Sequence, residues 1–205
     1  MTHLKIHGDP SRASLRREQV LKAAARCFTR RGFHSTSIAQ IGTEAGMSVG
    51  HIYRYFINKE AIIAGIVQQN VDDALASFSQ IEHESTDIQA TLIACADRGV
   101  DKARDPDHAM LMIEVKAEAA RNPKLAAILQ AADAEIRTHL SRVLKRAVAE
   151  DWTQADVDMR AEMLVLMFEG LPLRIIANPD LDREALVRMM RQMLACILQW
   201  PPAAL

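Results

Sequence analysis

Residues 36–59 read TSIAQIGTEAGMSVGHIYRYFINK, and the fold of the chain turns on how this stretch divides. Ser37 followed three residues later by Gln40 is a capping-box pattern, in which each side chain satisfies a backbone N–H at a helix start. It opens a short helix to about Thr43. Ala45-Gly46-Met47 makes a turn, with Gly46 where a tight interhelical corner wants a residue able to take positive φ. Ser48 caps a second short helix that ends near Phe56. Helices this short are unstable alone. They need a third to pack on, and Phe28, Phe33, Ile38, Ile41, Ile52 and Phe56 supply a miniature core. The pattern is that of a helix-turn-helix.

Upstream, Leu21, Ala24, Ala25 and Phe28 line one face of a helix from about Ser14 to Arg31, stopped by Gly32 after two arginines. Residues 1–13 form a polar arm. Downstream, Asn58 caps a helix whose Ile63, Ile66, Val67, Val71, Ala74 and Phe78 make a continuous stripe. A helix from about Asp87 to Arg104 ends at Asp105-Pro106, and another covers Asp107 to about Arg121. Asn122-Pro123 starts a long one to about Glu150, since Asn suits the cap and Pro the first helical position. Thr153 with Asp156 opens the next, which Gly170 and Pro172 should kink or end. The last runs from about Asp182 to the Trp200-Pro201-Pro202 stop. No segment alternates at period two for long enough to suggest a sheet. The expected fold is all-α with about nine helices: a helix-turn-helix domain in residues 1–59 and a larger helical domain in 60–205.

Residues 1–59 carry ten Lys or Arg against three acids, a net of +7, while the remainder nets −8. A basic head on an acidic body is the electrostatic pattern of a polyanion-binding module joined to something else. Cys27, Cys95 and Cys196 are widely spaced within apolar helical patterns, so buried reduced thiols are the expectation. The polar N-terminus and the lack of a long apolar run argue against secretion or membrane insertion and for the cytoplasm. There is no P-loop, H-E-x-x-H motif or nucleophile elbow, and the seven histidines show no metal-ligand spacing with the cysteines. No enzymatic activity, cofactor or metal is expected.

The second helix of the pair exposes an edge that its small core does not need: Val49, Gly50, His51, Tyr53, Arg54 and Tyr55. Gly50 costs a helix interior about 0.8–1 kcal/mol relative to Ala, which close approach to a DNA groove would explain. Helix N-termini at Ser37 and Ser48 offer N–H groups and a positive dipole end to phosphates. Thr36, Ser37 and Ser48 add hydroxyls, Lys59 adds a charge, and Tyr53 and Tyr55 add phenols; such contacts fix register. Base reading falls to Val49, His51 and Arg54. The alternatives are ordinary packing for Val49, solvation for His51 and a structural ring for Tyr53, while Arg54 suits a phosphate as well as a base.

The segment resembles the DNA-binding domain of the TetR family, the tetracycline-repressor-like regulators. Thr36, Ser37, Ile38, Ile41, Ala45, Gly46, Met47, Ser48, Gly50, Ile52, Tyr53, Tyr55, Phe56, Lys59 and Ile62 match the family pattern in register. Gly42 departs from the usual small Ala and should loosen its helix slightly. Beyond residue 80 the resemblance is architectural, although Glu118-Ala-Ala-Arg-Asn-Pro123 also looks familiar from members. It implies an all-helical homodimer, a ligand pocket in the larger domain and loss of DNA affinity when a small molecule binds.

The last two helices present Leu164, Leu166, Phe168 and Leu171, then Leu186, Met189, Met190, Met193, Leu194, Ile197 and Leu198. The final helix has more apolar surface than one core-facing stripe needs. Pairing with a second chain as a four-helix bundle would bury it, with Leu164, Phe168, Leu186, Met189, Met190, Met193 and Ile197 at the interface. Such a pair would read a palindromic operator. Met110, Met112, Ile113, Met163 and Met167 can wall a plastic apolar pocket or simply fill the core. Glu114 suits a cationic or hydroxylated ligand, or water. A DNA-binding factor without a ligand switch and an effector-dependent activator are the alternatives.

Overall fold

The computed structural model describes residues 12–148 and 152–199, and every regular element among them is helical. In order these are α1 (Arg12–Arg31), α2 (Ile38–Ala45), α3 (Val49–Tyr53), α4 (Lys59–Glu84), α5 (Ile88–Ala94), α6 (Ala96–Arg104), α7 (Pro106–Ala119), α8 (Pro123–Ala147), α9 (Gln154–Ala177) and α10 (Arg183–Gln199). The chain divides into two compact units, one ending at Ile66 and one starting at Val67, so that the division falls inside α4.

In the first unit, α1 buries Val20, Leu21, Ala24, Cys27 and Phe28. It stops at Gly32, whose φ of 78° lies in the left-handed region and whose N–H reaches the Phe28 carbonyl at 2.8 Å. The capping box at α2 is formed: Ser37 Oγ accepts from the Gln40 N–H at 3.2 Å, and Gln40 Oε1 accepts from the Ser37 N–H at 2.8 Å. Gly46, at φ 63°, ends α2, and Ser48 Oγ accepts from the His51 N–H to start α3. Gln19 Nε2 donates to the Ala45 carbonyl at 2.7 Å, fastening the end of α2 to α1. Phe28, Phe33, Ile41, Ile52 and Phe56 are buried together as the sequence suggests, while Ile38 is half-buried.

Two local expectations need correction here. α3 ends at Tyr53, not near Phe56: Arg54 is its cap, and the Tyr55 N–H bonds back three residues to Ile52 as the chain turns Phe56 into the core. Gly42 does not loosen α2. A Cβ there would lie 2.8 Å from the Met47 carbonyl oxygen, so glycine is what allows the turn to fold this tightly onto the helix.

In the second unit the side-chain caps at Asp87, Asp105, Asn122 and Thr153 set the starts of α5, α7, α8 and α9. The single helix expected over 87–104 is interrupted at Cys95, whose N–H is shared between the Thr91 and Leu92 carbonyls. α9 continues through Gly170 and Pro172 to Ala177. Proline removes one ladder bond there, but Leu164 and Leu171 are buried before it and Ile175 packs against the core after it, which keeps the segment in place. That core gathers Val100, Val143, Leu144, Val157, Ala161, Met190 and Leu194. Gly99 lets α6 meet the Phe168 ring of α9, which a Cβ would approach to 2.2 Å. Arg160, a buried cation that helical periodicity alone does not single out, stacks 3.7 Å from the Trp152 ring and donates to the Ile197 carbonyl at 3.1 Å. Most of the arm, the expected helix end at Glu150 and the Trp200-Pro201-Pro202 stop lie outside the described residues.

Gly42→Ala should destabilise the chain by about 1–3 kcal/mol through overpacking, despite alanine's better helix propensity. Urea unfolding measures it; a gain in stability would show that the turn yields freely to a methyl group.

Candidate nucleic-acid interface

α3 has five residues, and Ile52 is its one fully buried side chain. The rest of the helix and its cap are left outward: Val49 and Tyr53 are 39% and 51% exposed, and Gly50 and Arg54 are exposed as well. His51 is half-buried, with Nε2 3.4 Å from the Tyr55 hydroxyl and the two ring centroids 5.5 Å apart, so Tyr55 braces the imidazole. A Cβ built on Gly50 meets nothing within 4 Å. The chain's own packing does not require glycine there, and the lost helix propensity is not offset within the chain. Ser37 and Ser48 are both exposed at the N-termini of α2 and α3, where the dipole is positive.

Two residues expected among the phosphate contacts sit elsewhere. Thr36 is 2% exposed, and its hydroxyl donates to the Gly32 carbonyl at 2.8 Å and lies 3.2 Å from that of Cys27. It is an internal fastener of the corner between α1 and α2. Lys59 Nζ is turned onto the Phe33 ring and the carbonyls of the same corner. Ile57, in the link between α3 and α4, is 80% exposed and is absent from the expected contacts. The signal for it was an apolar residue in a turn with no core position to fill.

The positive charge of the head is partly engaged. Arg26 bonds Glu44 at 2.5 Å, with Arg30 at 3.6 Å, and the Arg26 hydrogen bond holds the Glu44 carboxyl below the ordinary glutamate range. Burial pushes the Cys27 thiol up, keeping it neutral in the core.

The residues named for a pocket do not converge. Met110 is exposed on α7, Ile113 and Glu114 are half-buried there, and the Met112 sulfur accepts from Asn70 on α4. Met163 and Met167 instead line a groove of about 370 Å³ between α9 and α10, with Leu166, Gly170, Met189 and Met193. The residues named for pairing separate into two sets. Leu164, Leu186, Met190 and Ile197 are buried in the chain's own core and Phe168 packs against it, which leaves Met189 and Met193 outward. Met159, Met163, Leu166, Leu173 and Ile176 on α9 extend that exposed apolar surface. Among the described residues no helix is long and apolar enough to cross a membrane.

Sequence profiles of two groups match the chain: "Bacterial regulatory proteins, tetR family" over residues 20–66, and "BetI-type transcriptional repressor, C-terminal" over residues 89–199. The chain is 29% identical to the HTH-type transcriptional regulator UidR of Escherichia coli (strain K12), over 97% of this chain and 98% of that one. It is 30% identical to the HTH-type transcriptional repressor KstR2 of Rhodococcus jostii (strain RHA1), over 74% of each. The solved structure of Salmonella enterica GusR superposes with a TM-score of 0.75 at 25% identity, covering 94% of this chain and all of that one.

Gly50→Ala separates folding from docking. It should stabilise the free chain by up to about 1 kcal/mol through helix propensity, while weakening its hold on duplex DNA. Thermal unfolding and a duplex titration report the two effects; a methyl group that strengthens both would place Gly50 away from the docked surface.

Proposed function

This chain belongs to the tetR family of bacterial regulatory proteins, DNA-binding transcriptional regulators, and from that premise we propose a homodimeric repressor released from a palindromic operator by a small, largely hydrophobic ligand. The observation that carries the DNA-binding half is α3 itself: one buried anchor, Ile52, behind an outward edge of Val49, Gly50, Tyr53 and Arg54. Ser37, Ser48, Tyr53 and Tyr55 are the phosphate-facing groups, and Val49, His51 and Arg54 the base-reading ones.

Pairing is supported by the exposed apolar face of α9 and α10. Met159, Met163, Leu166, Leu173, Met189 and Met193 are each 41–72% exposed. A contiguous apolar face of this kind is what an interface between two copies would bury. A two-fold pair sets its recognition helices about 34–36 Å apart, one turn of duplex.

Regulators of this family bind operators and small effectors. Here α4 supplies the connection, because one helix carries residues of both units. A ligand that binds better to the form whose two heads misfit the groove releases the operator, and its differential affinity caps the effect. Moving from mostly bound to mostly released takes roughly 10⁴-fold preference, about 5.5 kcal/mol.

A thermal-shift screen of mid-sized apolar compounds, followed by operator titration with each hit, tests the switch. Compounds that raise the melting temperature should weaken operator binding. Stabilising compounds that leave operator affinity unchanged would favour a ligand-independent factor of the same fold.

A further inference from the structure

Lys59 is the first residue of α4, an unfavourable place for a cation because the helix dipole is positive there. Its side chain resolves the misfit by turning back onto the corner between α1 and α2. Nζ donates to the Thr36 carbonyl at 2.9 Å and to that of Phe33, and lies 3.5 Å from that of His34. It also sits 4.1 Å from the centroid of the Phe33 ring. An ammonium has three N–H donors, and three carbonyl oxygens are there to receive them. Residues 32–37 have no helical ladder of their own; the Phe33 carbonyl accepts from the Thr36 N–H at 3.3 Å, and the ammonium adds a donor to it and to the carbonyls of residues 34 and 36.

The rest of the corner is built to the same end. Gly32 turns the chain in the left-handed region, Phe33 is 3% exposed, and the Thr36 hydroxyl closes back on Gly32 and Cys27. The next residue is Ser37, the cap of α2. Holding the carbonyls of residues 33, 34 and 36 therefore sets where the N-terminus of α2 points.

We infer that Lys59 is a positioning residue of the DNA-binding head: it locks the α1–α2 corner, and through it the N-terminus of α2, instead of neutralising a phosphate. This rests on the reading of that N-terminus as a phosphate-facing end. Its charge is spent inside the head, on carbonyl dipoles and an aromatic face, where it is worth more than on the surface. The first residue of α4 thus grips the corner that leads into α2, so a displacement of the start of α4 is delivered to α2 directly.

The test compares the full chain with its Lys59→Met and Lys59→Arg variants. In the free protein, Lys59→Met should speed hydrogen exchange at the amides of residues 33–38 while Val20–Phe28 and the second unit keep their protection, and Lys59→Arg should restore most of it. On a random-sequence duplex, Lys59→Met should lower affinity roughly tenfold, as for one lost charge-assisted hydrogen bond. The slope of log affinity against log salt should stay that of the unmutated chain. A slope smaller by about one, with exchange unchanged, is what a phosphate contact gives and overturns the inference. Exchange that rises throughout residues 12–66 overturns it too, by making Lys59 a general stabiliser. A loosened corner with unchanged DNA affinity would remove the role in binding, and with it the phosphate-facing reading of α2, while leaving the repressor reading standing. An unmutated chain with no hold on duplex would strike at that reading itself.

Discussion

The burial of Ile52 is the constraint on which the rest of the first unit depends. A five-residue helix has too few internal hydrogen bonds to persist alone, so α3 exists because this side chain is fully buried in a core provided by α1, α2 and the start of α4. With the inward position occupied, its neighbours are free to face outward, and the helix becomes a short rigid edge. The tightness of the turn follows from the same requirement. Gly42 lies under the Met47 carbonyl, and the backbone of Gly46 takes the left-handed conformation that closes α2.

Electrostatics in this head are less a matter of net charge than of where charge is held. Several cations of the basic N-terminal stretch are tied within it: Arg26 and Arg30 to Glu44, Lys22 to Glu18, Arg17 over the Phe56 ring and Lys59 in the α1–α2 corner. The outward positive features beside α3 are the N-termini of α2 and α3 with their serine caps, and Arg54. Backbone donors of this kind are positioned by folding and lose little freedom on docking, which suits a surface that must hold one register on a duplex. The bracing of His51 by Tyr55 serves the same economy of motion.

Much of this is legible in residues 36–59 because caps, turns and short-range periodicity are local properties. Ser37 with Gln40, Gly46 and Ser48 each act within four residues, and the structure forms every one of those bonds. What sequence cannot supply is the direction of a long or small polar side chain. Thr36 and Lys59 are as polar as any phosphate contact, yet both turn inward toward carbonyls that lie far from them along the chain or across a corner. Helical period likewise marks α9 and α10 as apolar on more than one face without saying which face the chain keeps. The core took Leu164, Leu186, Met190 and Ile197, and left Met159, Leu166, Leu173 and Ile176 outside. Pro172 reads as a helix breaker, but the packing of Leu164 and Leu171 outweighs one missing hydrogen bond.

A paired, DNA-reading molecule is tested most directly by letting the full chain choose its own site. Selection from a pool of random duplexes, followed by sequencing of the retained fraction, reports half-site, symmetry and spacing together. The expected product is an inverted repeat whose half-sites lie about one or an integral number of helical turns apart, roughly 10–10.5 base pairs per turn. Enrichment of a single unpaired half-site, or of no sequence at all, would contradict it.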